Sequence, residues 1–194
     1  MIKLILSKLK KRKQEKPVSR FIFRMKGQDY IDSTRAYLDY IEEHLVFVAK
    51  AFSEMSEACD GKEHWVGDDC AWHTLHNEVV HHDLSKFSKE EFVQYRDHFF
   101  SVNDSDKKGS CFSVAWENHK QKNHHHHETV RDYNDLVHMV VDWVAMSYKF
   151  KGDPRSFYEK TKLSMGDNIT NEFHEFISKQ FDHLELYRNK NKRA

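Results

Sequence analysis

The chain of 194 residues carries 31 Lys/Arg and 31 Asp/Glu, so its formal net charge is zero. This length predicts one domain that buries about 70% of the surface of its unfolded chain, which excludes any need for a disulfide or a structural zinc. The three cysteines, an odd number without C-x-x-C spacing, argue against a redox motif and are typical of reduced thiols in a cytoplasmic protein.

The charge is unevenly distributed along the chain. Residues 1–26 contain ten Lys/Arg against Glu15 alone, which leaves 21 basic and 30 acidic residues for 27–194. The opening apolar run is too short for a transmembrane segment, and its basic residues follow the apolar ones, unlike those of a signal peptide. We predict a basic N-terminal arm at 1–26 and a helical domain at 27–194. The arm is either solvated or in contact with an anionic surface, nucleic acid or a partner.

Apolar residues recur at helical spacing, and two prolines and six glycines interrupt them little. We predict an all-α domain of about six helices. Ser33 or Thr34 is a candidate N-cap of the first helix, and Ser88 with Glu91 forms the capping-box pattern of the third. The predicted stripes cover 37–52, 75–82, 92–99, 112–119, 136–150 and 173–184.

Four of these predicted helices carry a polar group on the apolar face. The residues are His44, His82 with Asp83 directly after it, His119, and Asp142. Taken alone, each is most simply a core residue whose hydrogen bonds are satisfied. Taken together, converging imidazoles and carboxylates suit manganese, iron, nickel, cobalt or zinc. The sequence therefore predicts a site for one or two divalent transition-metal ions.

The order of these residues along the chain is His44, His82 with Asp83, His119, a run of four histidines, and Asp142. This order resembles the HD superfamily of metal-dependent phosphohydrolases, whose helical fold presents H, HD, H, H and D from successive helices. HDLSK, which begins at His82, is similar to the HD-x-x-K form of HD-GYP phosphodiesterases and myo-inositol oxygenase. The resemblance implies a primary metal site at His44, His82, Asp83 and Asp142, and a bridge from Asp83 to a second ion.

A second resemblance runs from about Tyr37 to about Lys162. An uncharacterised domain family carried largely by phages and prophages has successive blocks similar to YIEEHLVFV, HHDLSKFSKEEFVQY, AWENHKQKNHHHHE, MVVDWVAMS and FYEKTK. Its central block is A-W-x-x-H, then three residues, then N-x-H-H, which here selects His119, Asn123, His125 and His126. Phage residence would imply a nucleotide-directed activity in the cytoplasm of a host cell.

The histidine run at 124–127 is internal, which argues against a purification tag. With the family block as a guide, His119 and either His125 or His126 are the predicted ligands of the second metal. His124 and His127 are interpreted as solvated neighbours or as groups that support the ligands. The helix has to end or bend near Asn123 for two of these imidazoles to reach one ion. A surface histidine patch is the alternative.

The resemblance to the HD superfamily implies hydrolysis of a small phosphorylated substrate, such as a nucleotide, by a water that the metal activates. Asp83 is the predicted bridging ligand, and Lys86 is predicted to hold a substrate phosphate or stabilise the leaving oxygen. A solvated lysine at a helix end is the alternative for Lys86. Further candidate contacts to the substrate are His81, Arg96 and Asn123.

Two other functions fit the same ligands. HD-type oxygenases use this set to hold a di-iron centre that activates dioxygen. A non-catalytic protein would use the metal to tie its helices together and the basic arm to dock on a host factor. The tryptophans at 65, 72, 116 and 143 are interpreted either as core residues or as a base-stacking wall. Walker, Rossmann, G-x-S-x-G and H-E-x-x-H motifs are absent from the sequence.

Overall fold

The computed structural model describes residues 26–59, 69–102, 107 and 111–193. All regular secondary structure within these residues is helical, which confirms the predicted all-α fold. The predicted basic arm lies outside the described residues except for Lys26, and so does Trp65. None of the helices in these ranges combines the length and the apolar character that a bilayer-spanning helix requires.

Seven α-helices make up the described part of the chain. They are α1 (Lys26–Ala58), α2 (Asp69–Val80), α3 (Phe92–Phe100), α4 (Phe112–Lys122), α5 (Tyr133–Phe150), α6 (Pro154–Thr161) and α7 (Asn171–Asn191), with short 3-10 turns at Leu84–Phe87 and Lys162–Ser164. Helix α5 is central because it contacts α1, α2, α6 and α7. All six residues of 136–141 are buried, as expected for a helix surrounded by others.

The buried side chains form two cores that share α1. The larger core joins the C-terminal half of α1 to α2, α5 and α7. The smaller core joins the N-terminal half of α1 to α3 and α4. His44 lies on α1 between Ile41 of the smaller core and Val48 of the larger one. A polar residue at that position therefore lies at the junction of the two cores.

Helix α1 begins earlier than predicted. Its first residue is Lys26, and the hydroxyl of Ser33 donates a hydrogen bond to the carbonyl of Asp29 inside the helix. The prediction of Ser33 or Thr34 as the N-cap was therefore wrong. The apolar stripe marks only the buried part of the helix, and the exposed first turns have no stripe.

Helix α6 was not predicted. It has eight residues, too few for a clear apolar stripe. Its start signal is nevertheless present, because Asp153 accepts a hydrogen bond from the backbone N–H of Ser156 and Pro154 occupies the first turn. A reading of caps alone would have located it.

The capping box predicted for Ser88 and Glu91 is wrong. Helix α3 begins at Phe92, and Glu91 makes no side-chain cap hydrogen bond. The carboxylate of Glu91 is fully buried and accepts hydrogen bonds from α4 instead. Tertiary contacts have taken the side chain that the local pattern assigned to a helix cap.

Candidate metal centre

The four predicted primary ligands meet at one point between α1, α5 and the turn after α2. His44 Nε2 lies 2.9 Å from His82 Nε2 and 3.2 Å from Asp142 Oδ1. Asp83 Oδ2 lies 3.4 Å from His82 Nε2 and 3.7 Å from His44 Nε2. Ligands about 2.1 Å from one ion are about 3.0 Å apart at right angles and about 3.4 Å apart in a tetrahedron. The separations therefore fit one cation shared by His44, His82 and Asp83, whose ligand atoms all lie within 4.8 Å of one another, with Asp142 beside His44.

His82 and Asp83 are adjacent in sequence yet face the same centre because the backbone leaves the helix there. Helix α2 ends at Val80, so the prediction that His82 lies on this helix was wrong. Asp83 has a φ of 56°, in the left-handed region that aspartate tolerates better than bulkier residues. In a continuous helix, adjacent side chains would diverge by about 100°. The turn removes that divergence, and Asp83 makes no cap hydrogen bond to the 3-10 turn that follows.

A second group of ligands surrounds the other oxygen of Asp83. Asp83 Oδ1 lies 3.1 Å from His119 Nε2 and 3.4 Å from His125 Nε2. His126 also belongs to this group, whose potential ligand atoms all lie within 4.8 Å of one another. Both His125 and His126 therefore reach the second group. Asp83 presents one oxygen to each group, which is the arrangement of a bridging carboxylate.

The end of α4 brings the histidine run to this position. The helix ends at Lys122, and Asn123 has an extended backbone, as the spacing required. The amide of Asn123 donates to Ser85 Oγ at 2.7 Å and to the carbonyl of His119 at 2.8 Å. Asn123 thus holds the loop in place.

Glu91 orients one of the second-group ligands. His119 Nδ1 donates to Glu91 Oε2 at 2.8 Å, and Glu91 also accepts from Ser85 Oγ at 3.0 Å and Asn118 Nδ2 at 2.7 Å. This contact leaves the lone pair of His119 Nε2 directed at Asp83, as in the carboxylate–histidine pairs of metal sites. Sequence reasoning assigned Glu91 to a cap and missed this role.

His138 lies behind His82. It is on α5, one helical turn before Asp142, and its Nε2 is 2.8 Å from His82 Nδ1. If His82 Nε2 binds a cation, Nδ1 carries the proton and donates to His138. Burial lowers the pKa of His138 well below its ordinary value, so the ring is a neutral acceptor. The i, i+4 spacing of His138 and Asp142 on the inward face of α5 was the signal that sequence analysis missed.

The buried polar atoms of the centre support a cation. Asp83 Oδ1, Asp142 Oδ1 and His126 Nε2 are buried without a well-directed hydrogen bond among the described residues, although imidazole nitrogens lie 3.1 and 3.2 Å from the two carboxylate oxygens. Buried acceptors without a donor are costly. A divalent cation satisfies several lone pairs at once, whereas a proton satisfies one or two. Imidazole nitrogens with carboxylate oxygens suit the transition metals predicted from the sequence.

The two carboxylates and His126 have the charge states that metal binding needs. His119 differs, because burial lowers its pKa but the contacts with Asp83 and Glu91 outweigh burial and raise it. Burial alone would raise the pKa of Asp83, but His82 and Lys86 outweigh it and hold the pKa well below its ordinary value. The pKa of Asp142 is likewise lowered, because the contact with His44 outweighs burial. Burial, together with the neighbouring rings, lowers the pKa of His126 to about 2. Ionised carboxylates and neutral imidazoles are the ligand forms of these side chains.

A cavity of about 280 Å³ lies beside both groups of ligands. His44, Asp83, His119 and Asp142 form its polar wall, together with the two histidines of the run. The rest of its wall consists of aromatic side chains, one methionine and one lysine: Tyr37, Tyr40, Tyr95, Phe99, Phe100, Phe112, Trp116, Met146 and Lys86. The cavity wall therefore combines candidate metal ligands with aromatic rings.

The tryptophans have separate positions. Trp116 lines the cavity, whereas Trp72 packs against Phe52 and Trp143 packs against Tyr158. Of the three that are described, only Trp116 is placed to contact a bound molecule. The core interpretation therefore fits the other two.

Only one of the four predicted substrate contacts lines the cavity. Lys86 lines the cavity and is buried, so the alternative of a solvated lysine was wrong. His81 is exposed and bonds to the carbonyl of Asn77. Arg96 pairs with Asp97. Neither His81 nor Arg96 is part of the cavity wall, and neither is Asn123.

The two remaining histidines of the run do not belong to the candidate ligand groups found among the described residues. His127 Nδ1 lies 3.1 Å from the carbonyl oxygen of Met165 and ties the loop to the turn before α7. His124 is half-buried. These positions agree with the interpretation of both as neighbours of the ligands.

Replacing Glu91 by glutamine should weaken the second metal position. The amide accepts less strongly from His119 Nδ1, and losing such a partner costs about 10- to 100-fold in metal affinity. Titration of the metal-free variant with zinc against a competing chelator measures the change. Glu90→Gln is the matched control, because Glu90 is the exposed neighbour and pairs with Lys89. Equal zinc affinity in the two variants would contradict the role given to Glu91.

One family model matches most of the chain. Residues 33–183 match the model of a family described as being of unknown function. No curated protein and no solved structure matches the chain. The matched range contains every residue of both ligand groups.

Proposed function

Since the chain belongs to DUF5662, a family of unknown function, we propose a function from the site itself: metal-dependent hydrolysis of a phosphate ester. The observation that carries this proposal is the position of Asp83 in the wall of the cavity. One of its oxygens faces the first ligand group, and the other faces the second. Divalent cations held there would lower the pKa of a water and neutralise charge that develops on a phosphoryl group.

Lys86 supplies the charge that this reaction needs from the protein. Burial alone would lower the pKa of Lys86, but its contact with Asp83 outweighs burial and raises the pKa. The side chain is therefore a permanent ammonium at the cavity wall. An ammonium in a buried position stabilises a phosphoryl oxygen or a leaving oxygen more strongly than one in water.

The proposal is tested with protein stripped by a chelator and reloaded separately with manganese, ferrous iron, cobalt, nickel or zinc. Each form is assayed for phosphate release from nucleotides, cyclic nucleotides, dinucleotides and simple phosphate esters. We expect release that requires a metal and is lost in Asp142→Asn, which removes one primary ligand. Absence of release from every substrate by protein that demonstrably holds metal would overturn the proposal.

A second candidate is a di-iron oxygenase, and the cavity wall favours it. Lys86 is the only Lys or Arg among the described lining residues, and most of the others are aromatic. Such a wall suits a compact substrate of low charge. Oxygen uptake and a visible absorption band upon aerobic addition of ferrous iron, without phosphate release, would favour this candidate over hydrolysis.

A further inference from the structure

The hydroxyl groups of Tyr37 and Tyr95 have no evident structural use. Tyr37 is 1% exposed and Tyr95 is 7% exposed, and both line the cavity. Their hydroxyl oxygens are buried and have no hydrogen-bond partner among the described residues. Buried hydroxyls are almost always paired in folded proteins. Because both side chains line one cavity, a molecule bound there is a candidate partner for the two hydroxyls.

The ring contacts of these two tyrosines do not explain the hydroxyls. Tyr37 packs against Phe92 and Phe100, with ring centroids 5.2 and 5.4 Å away. Tyr95 packs edge to face against Phe112, at 5.2 Å, and its ring lies nearly parallel to that of Tyr37, with centroids 6.4 Å apart. A phenylalanine would make the same contacts at either position. The packing of these two rings therefore does not require their hydroxyl oxygens.

Lys86 lies close to the same wall. Its Nζ is 5.8 Å from the centre of the Tyr95 ring and is bonded to Asp83. Tyr37 belongs to α1, Tyr95 to α3, and Lys86 to the 3-10 turn between α2 and α3. Three separate elements therefore bring hydrogen-bond donors to the wall of a cavity that also contains the metal ligands. Phenol and ammonium donors suit the oxygens of a phosphoryl group.

We propose that Tyr37, Tyr95 and Lys86 form a subsite for the phosphoryl oxygens of a compact phosphomonoester whose planar, apolar body packs against the aromatic wall. This inference rests on the proposed hydrolase function and narrows its substrate class. The aromatic wall, which includes Phe99 and Trp116, suits a planar body.

The size and charge of the cavity favour a compact substrate over a larger one. The volume of about 280 Å³ is just below the usual range of ligand pockets, about 300–1,000 Å³, so it accommodates one compact molecule rather than a dinucleotide. With Lys86 as the single cationic side chain in the described wall, the protein offers charge for one phosphoryl group rather than a triphosphate. A simple aryl phosphate represents the substrate class.

The test measures binding of inorganic phosphate to the metal-loaded full chain by calorimetry. Tyr37→Phe and Tyr95→Phe should each raise the dissociation constant about fivefold to tenfold, because each removes one hydrogen bond to the ligand. Tyr158→Phe is the control, since Tyr158 is equally buried but bonds to His174 and does not line the cavity. It should leave phosphate affinity unchanged.

Thermal stability separates a binding role from a structural one. Removing an orphaned hydroxyl should leave the melting temperature of the phosphate-free protein unchanged or raise it, whereas removing a structural hydrogen bond lowers it. The subsite is therefore supported by weaker phosphate binding without loss of stability. Unchanged phosphate affinity in both variants, or a lowered melting temperature in both, would overturn it.

The substrate class is tested with 4-nitrophenyl phosphate, bis(4-nitrophenyl) phosphate and ATP. We expect kcat/KM for the monoester to exceed that for the diester by about tenfold or more, and the two phenylalanine variants to raise KM for the monoester. A preference for the diester or for ATP would overturn this class while leaving the hydrolase standing. If the wild type binds phosphate through both tyrosines yet hydrolyses neither ester, the subsite stands and the hydrolase function fails.

Discussion

Replacing Asp83 by asparagine will remove metal from both ligand groups at once. One oxygen of Asp83 faces His44 and His82, and the other faces His119 and His125. Asparagine has no charge, and its amide nitrogen cannot act as a ligand. Losing a residue that supports a metal ligand lowers metal affinity about 10- to 100-fold, and losing the ligand Asp83 should lower it more. Elemental analysis after reloading and dialysis measures how many metal ions each variant retains.

The same change leaves the Lys86 ammonium buried without its carboxylate partner, so the free energy of unfolding should fall by about 3 kcal/mol. Asp142→Asn separates the two effects. Asp142 contacts the primary group alone, so its replacement should reduce the retention of one ion. Asp135→Asn is the control on the same helix, a buried aspartate that pairs with Arg131 outside the centre. If Asp83→Asn keeps one of two ions, Asp83 is not a bridge.

Replacing Lys86 by methionine should lower kcat/KM for phosphate release by about 10²- to 10³-fold, the usual cost of losing one donor to a developing negative charge. Methionine keeps much of the length of the side chain and removes the charge. The metal content should stay that of the wild type, because the ammonium is not a ligand. Steady-state kinetics combined with elemental analysis measure both quantities.

The matched control for this change is Lys89→Met. Lys89 lies three residues further along the chain, and its side chain is 91% exposed. It should leave phosphate release unchanged. Equal activity of the Lys86 and Lys89 variants would show that Lys86 has no part in the reaction. Loss of metal from the Lys86 variant would show that the lysine supports the ligands instead.

The fold was largely predictable because the buried face of each long helix repeats at helical spacing. The stripe around Tyr37 located α1, although it could not locate Lys26 as the first residue. Helix α6 was missed because eight residues bury too few side chains to form a stripe. Local patterns also failed where a tertiary contact competed with them, as at Glu91, whose carboxylate is bonded to His119 rather than to the backbone of Ser88.

The ligands of the candidate centre were predictable from the order of His44, His82, Asp83 and Asp142, and the structure brings all four together. The residues that support these ligands were not predictable, because a burial pattern indicates that a side chain faces inward but not which partner it contacts. His138 appeared to be one more residue of an apolar helix. Tyr37 and Tyr95 appeared to be core residues for the same reason.

The most direct test of the metal centre is anomalous diffraction from crystals of protein purified without chelator and supplied with manganese, recorded at two wavelengths across the manganese edge. We expect two peaks, one among His44, His82 and Asp142 and one beside His119 and His125, with Asp83 between them. Manganese bound elsewhere, or one peak to which Asp83 presents neither oxygen, would contradict a metal centre bridged by Asp83.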